Sequence, residues 1–98
     1  MERVDVKIAD RFGTHLSSRS RAAELRAQLE LESRPTRTEL DFHGVVLVST
    51  SFADELIGVL SQERGLNWLR DHVGVRGASD EVLQVLLEAI AGRTGRAA

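Results

Sequence analysis

The segment 38–60 reads TELDFHGVVLVSTSFADELIGVL, and the reading of this stretch decides the fold. Val45–Val48 is a continuous apolar run, which suits a strand buried on both faces, with Val46 and Val48 inside. Three hydroxyl residues follow, Ser49, Thr50 and Ser51, and then an amphipathic helix from Phe52 to about Arg64. Phe52, Leu56 and Val59 form one row of that helix, with Ala53, Ile57 and Leu60 beside it as a wide core-facing stripe. Ser51 with Asp54 fits the capping pattern S-x-x-[DE], in which the hydroxyl accepts from an orphan first-turn N–H. The strand thus delivers a hydroxyl cluster to a helix N-terminus, where the dipole and free amides favour negative charge.

The flanking sequence extends the same alternation. Val4, Val6 and Ile8 alternate with Asp5 and Lys7, the period of a half-buried strand. Ala9 to Ser17 reads as a loop turning at Gly13. A helix from about Ser18 or Arg19 to Leu31 carries Ala22, Leu25 and Leu29 on one face, and Ser33–Arg37, with the only proline, Pro35, ends it. Glu39–Phe42 begins an extended segment, and Gly44 marks a bend before the apolar run. Gly65 stops the central helix, Leu66–Leu69 reads as another short strand, and Arg70–Ala78 as a loop. Ser79 caps a last helix with Asp80 and Glu81 in its first turn. Its core row is Val82, Val85, Leu86, Ala89 and Ile90, Gly92 stops it, and Leu83 and Leu87 fall off that row as a second buried edge or as apolar surface for a partner. The pattern is α/β: a small mixed or parallel sheet of about four strands with helices packed on it. One domain over residues 1–98 is expected, with an ordered core of about 4–91 and a flexible tail at 92–98.

Composition narrows the function classes. The chain has 98 residues, 42% hydrophobic and 29% charged, the balance of a globular domain rather than a disordered one. No apolar run nears the roughly 20 residues of a membrane span, and no signal peptide precedes the first strand, so a cytoplasmic protein is expected. Without cysteine there is neither a disulfide framework nor a thiolate nucleophile. A net charge of −2 argues against a dedicated nucleic-acid binder, although Arg19, Arg21, Arg26, Arg34 and Arg37 gather in the first half. His15, His43 and His72 stand far apart with no metal-ligand spacing. Asp54 and Glu55 are adjacent, which turns them to different sides of a helix and does not suit an acid–base pair. No metal, cofactor or enzymatic activity is expected.

The residues Asp41, Phe42, Gly44 and Val45, followed by Ser51, Phe52, Ala53, Asp54 and Glu55, make a D-F-x-G-V strand leading to an S-F-A-D-E helix start. This pairing resembles the STAS-like family, relatives of the STAS domains of sulfate transporters and of bacterial anti-sigma factor antagonists. The upstream FGTHLSSRSRAAEL, 12–25, is similar to the segment opening that family's first helix, so the resemblance covers about residues 4–90. Better-known antagonists carry D-S-S-G-L-G at this turn and are phosphorylated on the first serine by a partner kinase. Laid together, Ser49 stands opposite their aspartate, Thr50 opposite the phosphorylated serine and Ser51 opposite the second serine. Phe52-Ala53-Asp54 replaces G-L-G.

The resemblance implies a regulatory protein-interaction module that binds an ATP-binding kinase or anti-sigma-type partner. Its phosphorylation candidates are Thr50, Ser51 and Ser49, and its partner-binding candidates Phe52, Asp54, Glu55, Leu83 and Leu87. Two alternatives are a nucleic-acid-associated accessory domain, resting on the arginines of the first helix, and a structural subunit that forms a homodimer through Leu83 and Leu87.

Overall fold

In β3 (Arg37–Asp41) burial alternates, with Thr38 and Leu40 turned into the core and Arg37, Glu39 and Asp41 half-exposed. This strand is the middle of a three-stranded, all-parallel sheet in the order β1–β3–β5, with β1 at Arg3–Lys7 and β5 at Val73–Arg76. The computed structural model describes residues 3–32 and 37–95; the break expected at Pro35 lies outside them. The pairing sets Val6 beside Leu40 and Leu40 beside Val75 on the inner face. On the outer face it aligns Asp5, Glu39 and Gly74, then Lys7, Asp41 and Arg76. Among the described residues, helices cover the inner face and not the outer one. The outer face is polar, so this parallel sheet departs from the usual burial on both sides.

The VVLV run does not join that sheet. Gly44, at φ +86°, turns the chain away after β3, a conformation that favours glycine. The Val46 and Leu47 N–H groups then both donate to the Thr14 carbonyl, at 2.8 and 3.2 Å. Only Leu47–Val48 (β4) is a strand, pairing in parallel with β2 (His15–Leu16) as a separate two-stranded ribbon. A ribbon has two open sides, so Val45 and Val48 are buried while Val46 is 62% and Leu47 47% exposed. The expectation of a strand buried on both faces, with Val46 inside, is therefore corrected.

Three further elements depart from the expected order. The segment after β1 is a short helix, α1 (Ile8–Phe12), and then β2, rather than a loop; Gly13 does make the turn, at φ +93°. Leu66–His72 is a helix, α5, not a strand, and the edge strand β5 lies in the segment read as a loop. Leu66 and Leu69 fall at i and i+3, with Leu69 buried and Trp68 packed against the core, so helical spacing serves the core better here than alternation. The last helix, α6 (Asp80–Thr94), continues through Gly92 and ends at Gly95, at φ +73°. Two side chains tie its last turn down, Arg93 to Asp54 and Thr94 to the Ile90 carbonyl, and these outweigh the weak helix propensity of one glycine.

The helical layer is built around residues 50–64. This continuous helix consists of α3 (Thr50–Ala53), a π-helical turn (Asp54–Gly58) and α4 (Val59–Arg64). The π-turn lies between α2 (Arg19–Glu32) and α6 and packs on both. Phe52, Ala53, Leu56, Ile57 and Leu60 are buried, joined by Ala22, Leu25 and Leu29 from α2 and by Val82 and Leu86 from α6. Gly58 lets α6 close on the π-turn, because a Cβ there would stand 3.1 Å from the Ala89 carbonyl oxygen. The chain is a STAS-like α/β fold of parallel strands with helices on one side.

Candidate functional site

The strand-to-helix turn is defined by where β4 stops. Val48 pairs with Leu16, and the Ser49 N–H still donates to the Leu16 carbonyl at 2.8 Å, so Ser49 keeps an extended backbone of φ −72° and ψ 158°. Its hydroxyl accepts from the Phe52 N–H at 3.0 Å and its carbonyl accepts from Ala53 at 3.0 Å. Ser49 is therefore the N-cap, which corrects the assignment to Ser51. Thr50 is the first helical residue and is exposed, and Ser51 is half-buried at the second position.

Because the helix begins at Thr50, Asp54 lies beyond the first turn and is not part of a capping box. Its carboxylate takes two hydrogen bonds from Arg93, from Nε to Oδ1 and from a terminal nitrogen to Oδ2, both at 2.8 Å. Arg19 bridges the adjacent carboxylates, 3.4 Å from Asp54 and 3.2 Å from Glu55. Arg26 donates to the Glu55 carboxylate at 2.5 Å and to the Glu55 carbonyl. The two acids do leave the helix in different directions, yet one guanidinium spans them. Together they staple the π-turn to α2 through Arg19 and Arg26 and to α6 through Arg93. These bonds hold the Asp54 carboxyl below its ordinary value, chiefly through Arg93, and the Glu55 carboxyl below its own, chiefly through Arg26.

The partner-binding candidates consequently divide. Phe52 is 1% exposed and belongs to the core, so it is corrected from a contact residue to a packing residue. Its position two residues after the first helical residue points it under the turn. Asp54 and Glu55 are half-buried and occupied by arginines. Leu83 and Leu87 are exposed at 40% and 53%, on the flank of α6 that faces α5 and β5. With Leu66, Val75 and Ile90 they border an apolar groove of about 380 Å³. The other flank of α6 faces the turn. There Thr50 and Asp54 meet Val85, Glu88 and Gly92 around a hollow of about 200 Å³. Val85 is shared with a second hollow bordered by Val46, Leu47 and Glu81. The two hollows thus lie on either side of Val85, one beside the exposed Val46–Leu47 knob and one beside Thr50.

Sequence reasoning missed several of these residues. Val46 and Leu47 were hidden by the assumption of a two-face strand. Arg19 and Arg26 sit seven residues apart, so one face of α2 was legible as basic, but nothing in sequence joined that face to Glu55 or joined Arg93 to Asp54. Of the arginines grouped in the first half, Arg19 and Arg26 pair with the π-turn, Arg21 with Glu24 at 3.6 Å and Arg37 with Glu39 at 3.6 Å; Arg34 lies outside the described residues. His15 lies 3.0 Å from the Thr14 hydroxyl, His43 is exposed, and His72 stacks on Trp68 with ring centroids 4.6 Å apart. Among the described residues no three ligating side chains converge on a metal position, and no helix is long and apolar enough to cross a membrane.

No curated protein and no solved structure matches the chain. A family model described as a STAS-like domain of unknown function matches residues 21–83, from α2 through the capped turn and the edge strand into α6. That match takes in well over half of the sequence, including the strand and helix start that carry the D-F-x-G-V and S-F-A-D-E residues, and the chain therefore belongs to the STAS-like domain family.

Proposed function

We propose that the protein is a non-enzymatic regulatory module that binds an ATP-binding kinase or anti-sigma-type partner through the Ser49–Ser51 turn, with Thr50 as the residue the partner modifies. One observation carries this reading: Thr50 is exposed at the first position of a 50–64 helix while the groups that build the turn are engaged elsewhere. Ser49 is occupied as the cap, Phe52 is in the core, and Asp54 is neutralised by Arg93 and Arg19. A phosphoryl group on Thr50 would add about −1.5 to −2 charge at neutral pH without displacing any packed side chain. The helix N-terminus would offset part of that charge, about 0.3–1 kcal/mol at an exposed site. The Val46–Leu47 knob and the two hollows beside Val85 supply apolar contact area around it.

A partner surface shaped to the uncharged hydroxyl meets repulsion and a desolvation cost once Thr50 carries charge, and it dissociates. A loss of about 1.4 kcal/mol already weakens binding tenfold. The test is incubation with a candidate partner kinase and ATP, followed by mass spectrometry of the modified residue. Thr50→Ala is expected to abolish modification, and Thr50→Glu to weaken partner binding at least about tenfold with a nearly unchanged melting curve. Phosphate absent from Ser49, Thr50 and Ser51, together with full-strength binding by Thr50→Glu, would refute the switch. The nucleic-acid reading draws less support, since Arg19, Arg21 and Arg26, the arginines of the first helix on which it rested, already have acidic partners.

A further inference from the structure

The Asp54–Glu55 staple holds one more cation than its two acids need. Asp54 takes both of its 2.8 Å bonds from Arg93, and Glu55 takes Arg26 at 2.5 Å. Arg19 reaches the same acids only at 3.4 and 3.2 Å. Its side chain is 54% exposed, against 21% for Arg26 and 34% for Arg93. Long ion pairs from an exposed side chain contribute little in water. Arg19 is therefore the arginine that can leave without orphaning an acid.

The fold puts Thr50 within its reach. Leu16 pairs with Val48 in parallel, and the Ser49 N–H donates to the Leu16 carbonyl at 2.8 Å, so two chain segments enter their helices side by side. Arg19 opens α2 as Thr50 opens the 50–64 helix. The Asp54 N–H donates to the Thr50 carbonyl, so the turn between them is helical, and residues four apart there have Cβ atoms about 5–6 Å apart on one face. Both residues border the same hollow beside Val85 and Glu88. Arg19 Nη1, 3.4 Å from Asp54 Oδ2, thus stands one helical turn from the Thr50 side chain.

We propose that Arg19 is the clamp for a phosphoryl group on Thr50: its guanidinium releases Asp54 and Glu55 and turns onto the phosphoryl oxygens. The inference rests on the reading of Thr50 as the modified residue and adds the side chain that receives the new charge. A guanidinium binds phosphate through two parallel N–H···O bonds, a stronger arrangement than its two single long contacts to carboxylates. Asp54 keeps Arg93, Glu55 keeps Arg26, and the surplus cation goes to the new dianion. Asp54 and Glu88 are the acids that border the hollow with Thr50, so without Arg19 the phosphoryl group would sit among like charge.

The test is a phosphorus NMR titration of the full chain, assembled by chemical synthesis with phosphothreonine at position 50, with circular dichroism confirming that each variant is folded. A phosphothreonine loses its second proton near pH 6. Held by Arg19 it is expected to titrate about 1 pH unit lower, as an opposite charge within about 4–6 Å does to a carboxyl group. Arg19→Gln is expected to remove that depression, while Arg21→Gln, whose guanidinium pairs with Glu24, leaves the titration unchanged. A phosphoryl group that titrates at about pH 6 or above in the chain with Arg19 intact overturns the proposal. So does a value that Arg19→Gln does not move, and so does one that Arg21→Gln moves equally. Because the phosphoryl group is installed by synthesis, the result does not depend on a kinase. A clamp that fails here leaves the partner reading intact, and a kinase that ignores Thr50 refutes that reading without altering this titration.

Discussion

Gly58→Ala opposes two effects whose balance depends on the tertiary structure. Gly58 has ordinary helical angles, φ −62° and ψ −49°, so in an isolated helix alanine would stabilise by about 0.8–1 kcal/mol. In the folded chain the new Cβ would stand 2.9 Å from Asp54 Oδ1, 3.0 Å from Arg93 Cγ and 3.1 Å from the Ala89 carbonyl oxygen. None of these can move freely. The Asp54 oxygen is held by a 2.8 Å bond from Arg93, and the Ala89 oxygen belongs to the backbone of α6. Inserting a methyl group into such a contact typically costs about 1–3 kcal/mol. The crowding therefore wins, by about 1 kcal/mol net, which for a domain of this size lowers Tm by about 4–8 °C. Urea unfolding monitored by circular dichroism should show a lower midpoint at unchanged slope. Repeating the substitution on an Asp54→Ala background removes the nearest contact, so Gly58→Ala should cost less there, with a coupling of at least about 0.5 kcal/mol. A Gly58→Ala variant that melts higher than wild type, or a cycle that is additive, would refute the close approach of α6 to the π-turn.

The remaining predictions concern the core, the staple and metal. Phe52→Ala should lose roughly 3–5 kcal/mol, because the ring is 1% exposed; a variant as stable as wild type in urea would overturn its placement under the turn. Arginine partners depress the Asp54 and Glu55 carboxyls below their ordinary 3.8 and 4.5, so the unfolded chain binds more protons than the folded one in that range. Their stabilisation is complete above about pH 4.5 and is lost as pH falls through the depressed folded values. Asp54→Asn should accordingly be less stable than wild type at pH 7, with the gap narrowing below 3.8; a gap that stays constant down to pH 3 would show that the ion pair contributes nothing. Chelator should leave Tm unchanged, since a structural metal couples its own loss to unfolding, and a clear drop would reveal a metal site that His15, His43 and His72 do not suggest.

What the sequence determined by itself was whatever local periodicity and chain punctuation can carry. A first strand around Val4–Val6, the apolar rows of α2 and α6, the Ser79 cap, the turns at Gly13, Gly44 and Gly65, and a helix after the hydroxyl cluster are all properties of neighbouring residues, and so is the strand-and-helix-start pair that marks the family. Placement among distant segments was decided only by the tertiary structure. VVLV satisfies a buried strand as a string of side chains, yet Gly44 turns it away from the sheet and its amides find Thr14, so Val46 and Leu47 face outward. Ser49 and Ser51 are equivalent as local hydroxyls until pairing with Leu16 selects the one that keeps an extended backbone. LNWL satisfies a strand or a helix until the packing of Leu66, Trp68 and Leu69 against the core decides. Asp54 and Glu55 read as helix-start acids; their partners Arg19, Arg26 and Arg93 lie 29 to 39 residues away, and a pairing over such separations is specified by how the helices pack, which no local pattern encodes.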